Sequence, residues 1–447
     1  MERFYLEIFR RLKKDKETSK KFLFTMLILF GLLIGYQIPL PGINTTYLQN
    51  FHNSVFNSNA GGFLNMMMGN SFKNMSIFAL SIAPYITASI ILQLLAVVIP
   101  SLEAMQKDGS VGKQKMEKLT YIVGAIVAII ESLALAIGFG KNGLLEPYKW
   151  YMVLYATIIW TIGACFLIWI GQTITNKLIG NGISMILMFN ILTTLPTDIV
   201  NIFNSFSSNK EIAIKIATIL GMLVVFGLLF AYVVVLNNAE KKILITNSNK
   251  AGVRMTGASE NIMPLKLNMG GVMPIIFSSS LMNIPMLIGQ FVDVDFNSKI
   301  GKVLMCFNQS SWFDLENPIY SLGALLYIPL TFFFAYFYSM ISFNTKDIAD
   351  NLRKSGSVIN GIRPGQPTSD FLNKQEKSML WIGTTMLLVV ALIPTAISGI
   401  FNINGLSFGG TTIIIVVGVL LELKNIIMAK TSSVTYKTLI KKKNRRR

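Results

Sequence analysis

The chain has 447 residues, of which 52% are hydrophobic and only 14% charged, against roughly 25% charged in an ordinary soluble domain. Lys and Arg number 40 and Asp and Glu 22, a formal net charge of +18, and the mean hydropathy is +0.54. These values exclude an ordinary soluble protein, a disordered chain and a basic DNA-binding protein, while Cys165, Cys306 and a lone histidine exclude a disulfide framework and a multi-His metal site.

A bilayer core takes about 20 mostly apolar helical residues to cross. Ten such stretches are predicted, near 22–38, 76–99, 119–140, 150–170, 182–197, 212–236, 271–290, 318–341, 378–399 and 407–427. None alternates like a transmembrane β-strand, so the predicted fold is an all-α integral membrane bundle. The first stretch follows a basic arm, residues 1–21, with Arg10, Arg11, Lys13, Lys14, Lys16, Lys20 and Lys21, which should stay in the cytoplasm. It ends in Ile38-Pro39-Leu40-Pro41-Gly42 rather than in a small-residue cleavage site, and more spans follow, so it does not read as a removed signal.

Between the first two spans lies Gly61-Gly62-Phe63-Leu64-Asn65-Met66-Met67-Met68-Gly69-Asn70. It is too short to span and apolar enough to dip into a cavity as a re-entrant half-helix; a surface loop is the plain alternative. The second span carries Ala83-Pro84-Tyr85-Ile86-Thr87-Ala88-Ser89 and the seventh Met273-Pro274-Ile275-Ile276-Phe277-Ser278-Ser279. The fifth opens with Gly180-Asn181-Gly182-Ile183 and the tenth with Gly409-Gly410-Thr411-Thr412. This pattern suggests two five-span halves, residues 22–211 and 212–427, the second inverted relative to the first. Chance is the competing reading, because Pro and Gly are common in membrane helices.

With the N-terminus inside, 33 of the 40 Lys and Arg fall on the cytoplasmic side, Lys424 at the inner end of the last span included. Six fall outside, and Lys215 opens a span. That bias supports ten spans with both termini cytoplasmic, the last residues, 428–447, forming a basic tail. No nucleotide-binding loop, H-E-x-x-H or G-x-S-x-G motif occurs, which argues against an enzyme. Glu131 is the clear ionisable group inside a span; burying it costs about 2.5–3.5 kcal/mol on insertion scales, so it should face polar groups. A secondary transporter of a small solute, the alternative reading, would need a polar mid-membrane site.

In order along the chain, several segments resemble the SecY family, the pore subunits of bacterial protein-conducting channels. They are Ile38-Pro39-Leu40-Pro41-Gly42-Ile43, Pro84-Tyr85-Ile86-Thr87-Ala88-Ser89-Ile90-Ile91-Leu92-Gln93, Trp169-Ile170-Gly171, Ile179-Gly180-Asn181-Gly182-Ile183-Ser184, Pro264-Leu265-Lys266-Leu267-Asn268, Pro274-Ile275-Ile276-Phe277, Gly361-Ile362-Arg363-Pro364-Gly365 and Phe408-Gly409-Gly410-Thr411. The resemblance implies a SecY/Sec61-type channel of two inverted five-helix halves. It implies a mid-membrane ring of Ile82, Ile86, Ile183, Leu187, Ile276 and Ile415, and a plug within residues 60–72 that includes Gly61, Gly62, Phe63, Leu64, Met67 and Gly69. A lateral gate between the second and seventh spans would carry Thr87, Gln93, Glu131 and Ser280. Two cytoplasmic loops, 238–268 and 344–377, would dock a SecA-type motor ATPase or the ribosome through Lys241, Lys242, Arg254, Arg353, Lys354 and Arg363. SecE-like and SecG-like small membrane subunits, signal-bearing preproteins and the lipid bilayer complete the implied partners, and no cofactor or metal is expected. Bacterial plasma membrane is the implied location.

The sequence departs from the family pattern in three places. Gln172 stands where a Glu is usual, Asn360 where a Pro is usual, and Ile243-Leu244-Ile245-Thr246-Asn247-Ser248-Asn249-Lys250 replaces a dense Arg-rich run. The last departure weakens ribosome docking more than motor docking, and two readings stay open, an accessory-type paralogue, which it favours slightly, and a divergent housekeeping channel.

Overall fold

A computed structural model describes residues 16–44, 47–48, 71–72, 74–207, 212–247, 261–291, 298–313, 318–400 and 410–444. Ten long helices stand among them: α1 (Lys16–Gln37), α2 (Ala83–Val98), α4 (Gly109–Phe139), α5 (Trp150–Lys177), α6 (Gly182–Ser207), α7 (Ile212–Asn238), α8 (Met273–Phe291), α10 (Leu322–Ser342), α12 (Gln366–Ile400) and α13 (Gly410–Asn444). Three short helices join them: α3 (Pro100–Lys107), α9 (Lys299–Met305) and α11 (Thr345–Lys354). The ten long helices match the ten predicted spans in order. By length and composition alone six of them can cross a membrane, and α2 with α3 makes a seventh, bent by 109°. Proline explains that bend, since Pro100 opens α3 directly after Ile99. Shorter apolar stretches, Gly182–Thr194, Val224–Asn238 and Met273–Met282, belong to α6, α7 and α8.

The helices outrun the predicted spans at their polar ends. α12 starts at Gln366 rather than near 378, and α13 continues to Asn444 through the predicted tail. Charged and polar residues end a span without ending a helix, because Glu, Gln, Lys and Arg are good helix formers. Lipid takes the place of water around the bundle. Leu23, Leu27, Phe30 and Ile34 form one exposed stripe on α1, spaced three and four residues apart.

Two hydrophobic cores fill the bundle. One joins α1, α2, α4, α5 and α6 and reaches Ile276, Phe277, Tyr338 and Ile415. The other lies among α7, α8, α10, α12 and α13. The two groups of helices meet along α4–α8, α6–α7, α6–α13 and α1–α13.

The two long loops carry an extramembrane sheet that their sequence did not announce. β1 (Glu240–Asn247) is its central strand, antiparallel to β2 (Asn261–Lys266) and to β3 (Ser357–Ile359). Lys241 lies opposite Leu265, and Ile245 opposite Ile359. Ile243, Leu265, Ile359 and Leu372 form a small core beneath it. The thinly charged run 243–247 is therefore a strand whose apolar residues have a structural task.

Candidate functional site

The six aliphatic ring positions come from four helices and belong to one large hydrophobic core. Ile82, Leu187, Ile276 and Ile415 are buried within it, and the half-buried Ile86 and Ile183 pack against it. Each helix is set there by local chemistry. Residues 76–82, expected to be the first turns of the second span, are instead a chain of turns, and α2 begins only at Ala83. Ile82 is the N-cap, and its carbonyl accepts from the Ile86 amide at 3.2 Å, which puts the two on one face. Non-helical backbone at membrane depth persists only where protein satisfies it. Here the Ile77 amide donates to Ile38 O, the Leu40 amide to Met75 O, and Trp160 Nε1 to Ser76 O. The Ile-Pro-Leu motif thus serves as a short pairing partner for the segment that leads to Ile82. Met75 and Ser81 hold left-handed φ values of 42° and 48°, which cost about 1–2 kcal/mol each for a residue with a Cβ.

On α6 the glycine motif has a steric cause. Gly180 turns with φ 92°, the Asn181 carbonyl accepts from Met185 N, and a Cβ on Gly182 would stand 2.0 Å from Gly171 O on α5. That close approach delivers Ile183 and, one turn on, Leu187. Pro274 lies in the first turn of α8, two residues before Ile276. A Cβ on Gly410, at the start of α13, would stand 1.8 Å from Val390 O on α12, which seats Ile415 in the same manner.

The expected gate residues are partly brought together. Thr87 on α2 donates to Glu131 Oε1 on α4 at 3.4 Å and to its own Ala83 O at 3.1 Å. Glu131 Oε2 is buried with no hydrogen-bond partner among the described residues. Gln93 Nε2 donates to Ser89 Oγ at 2.9 Å, and Gln93 Oε1 accepts from the Tyr338 hydroxyl of α10. Ser280 stands half-buried on α8, one turn beyond Ile276. Sequence reading missed Tyr338, one aromatic residue in an apolar run with nothing to mark it. It packs edge-on against Phe277 of α8, with ring centroids 5.0 Å apart, so the Tyr338–Gln93 bond ties the two groups of helices together.

Of the plug candidates, Gly61, Gly62, Phe63, Leu64, Met67 and Gly69 lie outside the described residues, as does Arg254. Ser71 and Phe72, at the end of the same segment, are fully buried, and Phe72 packs against Phe139 of α4. The other basic candidates sit on the extramembrane body. Lys241 donates to Gln375 at the foot of α12, while Lys242 and Lys354 are exposed. Arg353 pairs with Asp350 at 3.5 Å, an exposed ion pair of little energetic weight. Arg363 is exposed between Gly361 and Gly365, whose φ values of 80° and 100° set a turn, and its carbonyl accepts from Thr368. At the base of this body Glu376 is buried and accepts from Ser339 at 2.6 Å; desolvation raises its carboxyl above the ordinary value, and Ser339 and Lys377 pull it back.

Ten long helices around shared hydrophobic cores, with a small sheet carried by two of the long loops, make the architecture of a multi-pass membrane protein. The SecY family model matches residues 76–424. The chain is 32% identical to the protein translocase subunit SecY of Staphylococcus carnosus over 441 residues, 96% of this chain and 98% of that one. Solved structures agree in fold. A SecY described for the plug that stabilises its closed state matches with a TM-score of 0.65 at 18% identity, over 93% of this chain and 92% of its own. Sec61 of the canine ribosome-channel complex matches with 0.65 at 16% identity, over 92% and 91%. The chain belongs to the SecY family. It is a multi-pass membrane protein, the pore-forming subunit of a protein translocation channel and not a solute transporter.

Proposed function

We propose that Ile82, Ile86, Ile183, Leu187, Ile276 and Ile415 form the constriction through which unfolded secretory polypeptide passes. The observation that carries this is that all six, from four helices of both halves, belong to one hydrophobic core. An aliphatic neck gates by dewetting: it holds back ions when closed and offers no charge to trap a passing chain. Residues 60–72 are the plug, the role named for a structural relative, and the buried Ser71 and Phe72 tether its end. Apolar segments leave sideways between α2 and α8. The Gln93–Tyr338 contact across the two halves opposes opening with about 0.5–1.5 kcal/mol, and the Thr87–Glu131 contact within the first half sets the polarity of α2 beside the gate.

The channel sits in a bacterial plasma membrane with both termini cytoplasmic, alongside SecE-like and SecG-like subunits. Its halves are residues 22–211 and 212–427. Lys241, Lys242, Arg254, Arg353, Lys354 and Arg363 face a SecA-type motor; a ribosome, which a Sec61 relative binds, would meet the same surface through salt-sensitive phosphate contacts. Gln172, Asn360 and the thinly charged run 243–250 favour an accessory-type channel with its own clients over a divergent housekeeping channel. The test is the channel complex in proteoliposomes with ATP and a cognate motor. Uptake of a signal-bearing precursor is expected; its failure with every cognate motor would sink the reading.

A further inference from the structure

Behind the constriction lies a buried polar contact that neither the pore ring nor the gate uses. Ser81 is the last residue before Ile82, and Asn190 follows Leu187 by three residues on α6, so the two are neighbours on that helix surface. Both Ser81 and Asn190 are fully buried, and Asn190 Nδ2 donates to Ser81 Oγ at 3.1 Å. Tyr36 of α1 is buried in the same hydrophobic core. Ser81 holds its left-handed φ of 48° in a segment that is not helical. Local turns hold the segment to itself, with Ser81 N donating to Phe78 O at 2.8 Å and Ala83 N to Leu80 O at 3.2 Å, and the Asn190–Ser81 hydrogen bond ties it to the neighbouring ring helix.

We propose that the Asn190–Ser81 hydrogen bond is a pin that positions Ile82 against Leu187 and so sets how tightly the resting constriction closes. The pin rests on the ring reading above. It acts through Ile82 and Leu187 and touches no polypeptide. Without it the turn at 76–82 can relax away from α6 by the small displacement that wets a dewetted neck.

The test is resting potassium efflux from proteoliposomes holding the channel complex, measured with thermal unfolding of the same samples. Ser81→Gly is the main variant, because glycine takes the left-handed φ without strain while losing the hydroxyl. Asn190→Leu removes the other partner at equal size. Severalfold faster efflux is expected for each, the double variant should leak no more than the worse single one, and Ser81→Gly should unfold near the wild-type temperature. A merely structural bond would move unfolding and leave efflux alone. Ile86→Asn serves as the control for the ring. If Ile86→Asn leaks and folded Ser81→Gly does not, the pin is overturned and the ring stands. If Ile86→Asn is also tight, the ring reading fails and the pin with it.

Discussion

The two five-helix halves are built alike at their scaffold and differ in one connection. In each, the fifth helix opens with a glycine pressed on a carbonyl of the fourth: Gly182 on Gly171 O at 2.0 Å, Gly410 on Val390 O at 1.8 Å, taken from where a Cβ would lie. In each, a glycine of the fourth helix presses on a carbonyl just before the second helix: Gly163 on Ile77 O at 2.2 Å, Gly383 on Leu267 O at 2.3 Å. The lead-in segments then part company. In the first half it runs inside the bundle, with left-handed residues at Met75 and Ser81 and hydrogen bonds from Trp160 and Asn190. In the second it comes off β2 at the extramembrane sheet, where Leu267 N donates to Ala239 O and Asn268 to Asn237. One scaffold, used twice, turns one connection into the bundle and the other out to the sheet.

The harshest way to break this equivalence is to fill the paired glycines. Gly182→Ala and Gly410→Ala each drive a Cβ into backbone that cannot swing aside, and overpacking of that kind costs about 1–3 kcal/mol or more. Both variants should lose most of their folded, detergent-extractable protein in a thermal melt. Tolerance at one site alone would mean that the halves are not braced alike.

Next in size is the ring. Ile86→Asn in the first half and Ile276→Asn in the second should each raise resting ion leak severalfold in proteoliposomes, because a polar side chain rewets the neck. A leak from only one of them would show that the halves contribute unequally.

Smaller effects test the seam. Tyr338→Phe removes one hydrogen bond across the halves while keeping the ring against Phe277, a change of about 1 kcal/mol and hence about fivefold in closure. Transport of precursors with weakened signal sequences should rise by that order. The Glu131→Gln change is expected to be the mildest, since its Thr87 contact is long, at 3.4 Å, and lies wholly within the first half. Unchanged signal stringency in that variant would remove Glu131 from the gate.

The order of the ten spans was legible because long apolar runs mark them. The turns at 76–82 were not, since Ser76-Ile77-Phe78-Ala79-Leu80 is as apolar as any helix there. What unwinds it is a set of distant partners, Ile38, Trp160 and Asn190, that no local pattern reveals. The sheet stayed hidden for a similar reason: β1 pairs with β3 across more than a hundred residues, and its Ile243-Leu244-Ile245 core is too short to stand out. The ring residues look like ordinary packing by pattern, and only family resemblance singled them out. Tyr338 and Asn190, which tie helices together beside them, carried no signal of their own.

The most direct test of a shared constriction is site-specific cross-linking to a translocating chain. Cys165 and Cys306 are replaced by Ser, a single Cys is placed at Ile86 or at Ile276, and a precursor bearing one Cys is stalled in the channel. Disulfide formation from both positions, one in each half, is the predicted result. Cross-links from neither position, while a single cysteine introduced instead at the exposed Lys242 still captures the chain, would contradict it.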